Sequence, residues 1–177
     1  MKTLHHKLSE IYSFMGISSL VFALLLILAS CGGGQATAEE RAEVQELLDD
    51  REFQITNQWA SPLRGSRVNL IGNPNFIRFK GDSVSLTLPY FGVRHMGGGY
   101  NDRGGIEYEG PARNLNIEQE EGEYILEFEG KDGNENLDFR IVVYPDGGTS
   151  TSVTSTQRDN ISYQGEIEPL PEEVREF

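Results

Sequence analysis

Between Phe53 and Ile167 apolar and polar residues alternate with a period of two. Ile77 and Phe79 alternate with Arg78 and Lys80; Val84, Leu86 and Leu88 with Ser83, Ser85 and Thr87; Ile106 and Tyr108 with Glu107 and Glu109. The same spacing recurs at Phe53, Ile55 and Trp59, at Val68 and Leu70, at Leu115 and Ile117, and at Tyr124, Leu126 and Phe128. It continues through Leu137, Phe139, Ile141 and Val143 and closes at Ile161, Tyr163 and Ile167. Such alternation buries one face of each strand and wets the other, as antiparallel sheets do. Gly81-Asp82, Glu121-Gly122, Lys131 to Asn136 and Pro145-Asp146-Gly147-Gly148 supply short polar turns between the runs. The fold class predicted is mainly β: a single antiparallel β-barrel or sandwich domain of about nine strands. Its buried set is expected to include Trp59, Leu86, Leu88, Tyr124, Leu126, Phe128, Phe139, Ile141 and Ile161.

Upstream of Phe53 the pattern becomes helical. Thr37-Ala38-Glu39-Glu40 reads as a capping box, and Val44, Leu47 and Leu48 form one narrow apolar stripe. One short N-terminal helix, lying against a larger body, is therefore expected. The domain is placed at residues 38–168, followed by an acidic, proline-punctuated and loose tail from Pro169 to Phe177.

The N-terminus carries a different pattern. Lys2 and Lys7 precede an apolar run from Ile17 to Leu28, which ends at Leu28-Ala29-Ser30-Cys31. Cys31 is the single cysteine of the chain. A basic start, an apolar segment, small residues and then a thiol make a bacterial lipoprotein signal. Residues 1–30 are read as the signal peptide, Cys31 as the lipidation site and residues 31–37 as a flexible tether. Acyl chains on Cys31 would hold the protein on a membrane, because two or more give a lasting anchor where one does not. A plain spanning anchor is the competing reading, since Ile11 to Ser30 approaches the ~20 residues a helix needs, but the densest apolar part is shorter. Gly32-Gly33-Gly34-Gln35-Ala36 would leave the domain ~10–15 Å from the lipid surface. Gly32 stands where lipoproteins retained at an inner membrane carry aspartate. The expected location is the bacterial cell envelope at the outer membrane, with the face left open.

Charge narrows the partners. The chain has a formal net charge of -13, and losing Lys2, Lys7 and Glu10 with the leader takes it to -14. Such a chain repels phosphate backbones, so no nucleic-acid partner is expected. A lipidated Cys31 leaves no thiol for a disulfide, so the core must hold without one.

The longest interruption of the strand pattern is Tyr90 to Gly105. It holds Tyr90, Phe91, Arg94, His95, Tyr100, Asp102 and Arg103, and these are the candidate partner- or ligand-binding residues. The bland reading of the same segment is glycine turns and aromatics covering one end of the core. Its glycines are followed by no Gly-Lys-Ser/Thr, so it is not a phosphate loop. Lys131 to Asp138 places Asp132, Asn134, Asn136 and Asp138 at alternate positions, but it lacks the glycine and terminal glutamate of a calcium loop and reads as a hairpin turn. There is no Gly-x-Ser-x-Gly elbow, and His95 is the one histidine after the leader, too few for zinc. No catalytic residue, metal or cofactor is expected. The leading expectation is a non-catalytic binding or assembly module that contacts another envelope protein. The alternative is a β-barrel carrying a small apolar ligand, and a hydrolase ranks below both.

Four segments resemble one family. They are Gly81-Asp82-Ser83-Val84, Leu88-Pro89-Tyr90-Phe91-Gly92, Gly104-Gly105-Ile106 and Ile161-Ser162-Tyr163-Gln164-Gly165-Glu166-Ile167. Together they are similar to the domain-of-unknown-function family 4251, small lipoproteins of the Bacteroidota, over about Glu40 to Glu168. The resemblance implies an envelope lipoprotein with a mainly β domain. It implies no activity, and no catalytic residue carries over.

Overall fold

The computed structural model describes residues 36–96 and 104–175. Cys31 and the leader lie outside the described residues, as do Tyr100, Asp102 and Arg103. Helix α1 (Ala38–Asp50) begins at the predicted capping box. The Glu40 N–H donates to the Thr37 hydroxyl oxygen at 3.2 Å, and the Thr37 N–H donates to the Glu40 carboxylate at 2.7 Å. Two otherwise orphaned donors are thereby satisfied. Val44 and Leu48 bury into the core and Leu47 packs partly against it. Arg51, in the left-handed region at φ 54°, ends the helix.

Ten strands follow: β1 (Glu52–Pro62), β2 (Val68–Asn69), β3 (Phe76–Lys80), β4 (Ser83–Pro89), β5 (Gly105–Pro111), β6 (Arg113–Glu120), β7 (Glu123–Asp132), β8 (Glu135–Val143), β9 (Gly148–Ser155) and β10 (Ile161–Pro169). They form one antiparallel sheet in the order β5-β4-β3-β1-β10-β9-β8-β7-β6, with β2 on β1. Every neighbour in that order reverses direction, so its two end strands run the same way. Only Ala112 separates them in the chain. β5 and β6 are thus one extended stretch that leaves β4 at Pro111 and joins β7, curling the sheet into a nearly closed barrel. Tyr108 of β5 packs on Gly130 of β7, where a Cβ would come within 3.2 Å of the ring.

The barrel is filled by its own side chains. Phe53 stacks on Phe79 at 4.8 Å, Phe79 meets Phe128 edge-on at 5.3 Å, and Phe128 stacks on Phe139 at 4.5 Å. β3 and β7 are far apart in the sheet order, so the Phe79–Phe128 contact crosses the interior. Leu86, Leu88, Leu126, Phe128, Phe139, Ile141 and Ile161 are buried as the alternation predicts.

Two members of the expected buried set differ. Trp59 is only half-buried, because the β1 register shifts between Asn57 and Trp59 and the inward positions become Asn57 and Ala60. The Trp59 ring instead lies on the outer wall beneath the Arg67 guanidinium, 4.5 Å from its centroid. Asn75 stitches the bulge: its side chain accepts from the Asn57 N–H at 3.0 Å and donates to the Asn57 carbonyl at 2.9 Å. Gly165 faces the same bulge, and a Cβ there would sit 2.1 Å from the Thr56 carbonyl oxygen. Only a glycine lets β10 approach β1 so closely, which gives a physical reason for the Gln164-Gly165-Glu166 segment. Tyr124, the second exception, is half-buried at the strand end nearest Ile117 and Leu48.

One strand is missing from the sequence reading. β9 presents Thr149, Thr151 and Val153 inward, so its inner face carries no continuous apolar alternation. Among the described residues, the buried hydroxyl of Thr151 meets no hydrogen-bond partner. Burying such a group costs about 1–3 kcal/mol. Thr151→Val keeps the shape and the β-branch, so it is expected to raise stability by about 1 kcal/mol in urea unfolding. An equal loss would show that the hydroxyl is satisfied. The tail also begins more firmly than expected: Leu170 is buried and a short helix, α2 (Glu172–Arg175), follows.

Candidate functional site

One end of the barrel, its mouth, is where β1, β4, β7 and β9 finish and where β5, β8 and β10 begin. Four loops meet there. The segment after β4 lies along the β9–β10 turn through the His95 N–H to the Gln157 carbonyl, 2.7 Å, and the Asp159 N–H to the Val93 carbonyl, 2.9 Å. The loop after β1 joins through the Leu63 N–H to the Asn160 carbonyl, 3.2 Å. The β7–β8 turn leads into Glu135, the first residue of β8.

Under these loops lies a buried ion pair. Arg158 donates from Nε and Nη2 to the two Glu135 carboxylate oxygens at 2.6 and 2.7 Å, and from Nη1 to the Gly105 carbonyl at 2.8 Å. Both side chains are almost wholly buried. Ser155 also donates its hydroxyl to Glu135, and Arg94 approaches the carboxylate at 3.4 Å. Burial pushes the Glu135 carboxyl up, but the Arg158 and Ser155 hydrogen bonds and the two arginine charges outweigh it. The group is held below its ordinary value. Tyr90 covers the pair, its ring centroid 5.2 Å from the Arg158 guanidinium carbon. Its hydroxyl lies 2.9 Å from the Val93 carbonyl and 3.0 Å from that of Asp159. Burial raises the Tyr90 phenol. Tyr163, buried below, donates to the Pro89 carbonyl at 2.8 Å, and burial keeps its hydroxyl protonated. A Cβ on Gly92 would strike the Tyr90 hydroxyl at 2.3 Å, so the Tyr90-Phe91-Gly92 sequence is what lets the ring fold back over the pair.

The predicted residues therefore divide. Tyr90, Arg94 and His95 are brought together with Glu135, Arg158 and Asp159, and His95 Nε2 lies 2.7 Å from the Asp159 carboxylate. Phe91 turns outward at 41% exposure. Val93 and Met96 beside it, and Leu63 on the neighbouring loop, are also exposed apolar side chains. A second concavity, of about 420 Å³, lies on the outer wall of β6 to β9, between Asn114, Glu129, Arg140 and Ser152. Arg140 there is engaged by Glu127 at 3.3 Å, both half open to water.

Residues 35–167 match the family model described as "Domain of unknown function (DUF4251)". The chain belongs to the DUF4251 family. Its architecture is similar to the crystal structure of a DUF4251 family protein from Bacteroides eggerthii DSM 20697, with a TM-score of 0.58 at 12% identity over 76% of this chain and 90% of that chain. No curated protein matches the chain. At this identity the likeness speaks to the fold, and the chemistry of the mouth must be read from this DUF4251 chain's own residues.

Read that way, the polar network is a clasp. Glu135 has its acceptor capacity taken up by Arg158, Ser155 and Arg94, so it has little left for a substrate proton. Glu135, Arg158, Asp159 and Tyr163 were not among the sequence candidates. Glu135 had a signal: the inward parity of Val143, Ile141, Phe139 and Leu137 reaches it in one more step. Arg158 had none, because it sits in a polar turn between strands.

Proposed function

We propose that this DUF4251 protein is a non-catalytic envelope module, anchored by acyl chains on Cys31, whose barrel mouth binds another envelope component. The observation that carries the reading is the contrast at the mouth. Glu135 and Arg158, and His95 and Asp159, are paired with one another, while Leu63, Phe91, Val93 and Met96 are left in water around them. Exposed apolar side chains gathered at one place favour a contact surface. Carriage of a small apolar ligand inside the barrel is less favoured, because the Phe79–Phe128 contact already joins opposite walls. A hydrolase is less favoured, because Glu135 is held below its ordinary value and its carboxylate is taken up by Arg158, Ser155 and Arg94.

The anchor is tested on protein extracted from native membranes. Mass spectrometry is expected to give an N-terminus at Cys31 carrying acyl chains, and Cys31→Ala to yield unprocessed or released protein. An intact leader on the native protein would remove the anchor from the proposal.

A further inference from the structure

The two ends of the barrel are chemically opposite. Arg158 and Arg94 are taken up by Glu135, Asp159 by His95, and Arg67 lies over Trp59 on the outer wall, so the exposed charges left on the mouth loops, residues 62–67, 90–96, 131–135 and 155–160, are Arg64 and Lys131 against Asp132. This is a cationic excess in a chain with 15 basic and 28 acidic residues. Among the described residues, the same loops hold four of the six large apolar side chains that stand exposed, Leu63, Phe91, Val93 and Met96.

At the far end, where β1 begins and β10 ends, α1 forms a groove of about 330 Å³. Its apolar parts are Leu47 and Pro169, and Glu43, Glu46, Asp50 and Glu52 surround them. Apolar tips on the loops that carry Arg64 and Lys131 at one end thus match an apolar floor ringed by carboxylates at the other.

We infer that the partner of the mouth is a second copy of this chain, which offers its α1 groove, so that molecules line up head to tail. The inference rests on the reading of the mouth as a contact surface and names its occupant. The contact is heterologous, so it builds rings or open rows rather than closing as a symmetric dimer. Net repulsion between two acidic bodies does not prevent it. Charges in solvent farther apart than ~8 Å are screened at physiological salt, whereas groups facing each other across such a contact would lie within that range. The proposed acyl anchor would confine copies to the plane of a membrane, which raises their effective concentration.

The test is a charge exchange in the full chain, followed by sedimentation velocity over a wide concentration range in one detergent. The wild type is expected to associate. Arg64→Glu with Lys131→Glu makes the mouth acidic, and Glu43→Lys with Glu46→Lys makes the groove basic; each alone is expected to weaken association by about tenfold or more. An equimolar mixture of the two variants is expected to recover it, because each mouth again faces a groove of opposite sign. Association unchanged in both single-end variants overturns the inference and assigns any oligomer to the anchor. A mixture that stays monomeric overturns it as well, as does a wild type that remains monomeric throughout. None of these outcomes decides whether the mouth contacts something else, which crosslinking reads independently.

Discussion

Arg158→Met is expected to destabilise the domain by about 3–5 kcal/mol, because it removes the partner of a buried carboxylate and leaves the charge behind. Glu135 would keep Ser155 and the more distant Arg94, neither of which replaces two short guanidinium hydrogen bonds. The double variant Arg158→Met, Glu135→Leu removes the charge as well and should regain much of the loss, since apolar replacements of buried pairs are often neutral. Urea unfolding of the three proteins measures the effect, and a loss below about 1 kcal/mol in Arg158→Met would mean that water reaches the pair. The pair also sets a direction in pH. Glu135 is lowered in the folded chain from an ordinary value of 4.5, so its contribution is complete above that value. It is lost as pH falls through the lower folded value. The stability gap between the wild type and Glu135→Gln should therefore be widest near neutrality and close in acid.

The second large effect is expected at Phe128. Its ring is stacked on Phe139 and meets Phe79 across the barrel, so Phe128→Ala empties the point where opposite walls touch. Loss of about 3–5 kcal/mol follows for a buried phenylalanine whose surroundings cannot collapse. Glu127, one residue away, faces water, and Glu127→Ala should change stability by less than about 0.5 kcal/mol. Equal effects at the two positions would contradict the assigned inward parity of β7.

Much of this architecture was legible in the residues. The capping box placed the start of α1, and period-two alternation located nine of the ten described strands. The exceptions have separate physical causes. β9 was hidden because threonine does the inward work of valine at positions 149 and 151. Trp59 was assigned to the wrong face because one bulge reverses parity along β1, and nothing in the local sequence marks a bulge stitched by a distant Asn75. The mouth was half legible. Its aromatic and cationic loop stood out as an interruption, but the acid and base beneath it came from turns that read as ordinary polar punctuation. That Tyr90, Arg94 and His95 are turned toward those groups, leaving Phe91 and its apolar neighbours outside, follows from packing across chain separations that no local pattern records.

The central claim is that the mouth, rather than the wall of the barrel, is the surface that binds. Photo-crosslinking in intact cells tests it most directly, with the reactive group placed at Val93 in one strain and at Ser152 in another. Val93 lies at the mouth, and Ser152 is exposed on the outer wall beside the concavity of β6 to β9. The account predicts discrete adducts from Val93, whether with a second copy or another envelope component, and none from Ser152. Adducts from Ser152 in equal or greater yield, or none from Val93, would contradict it.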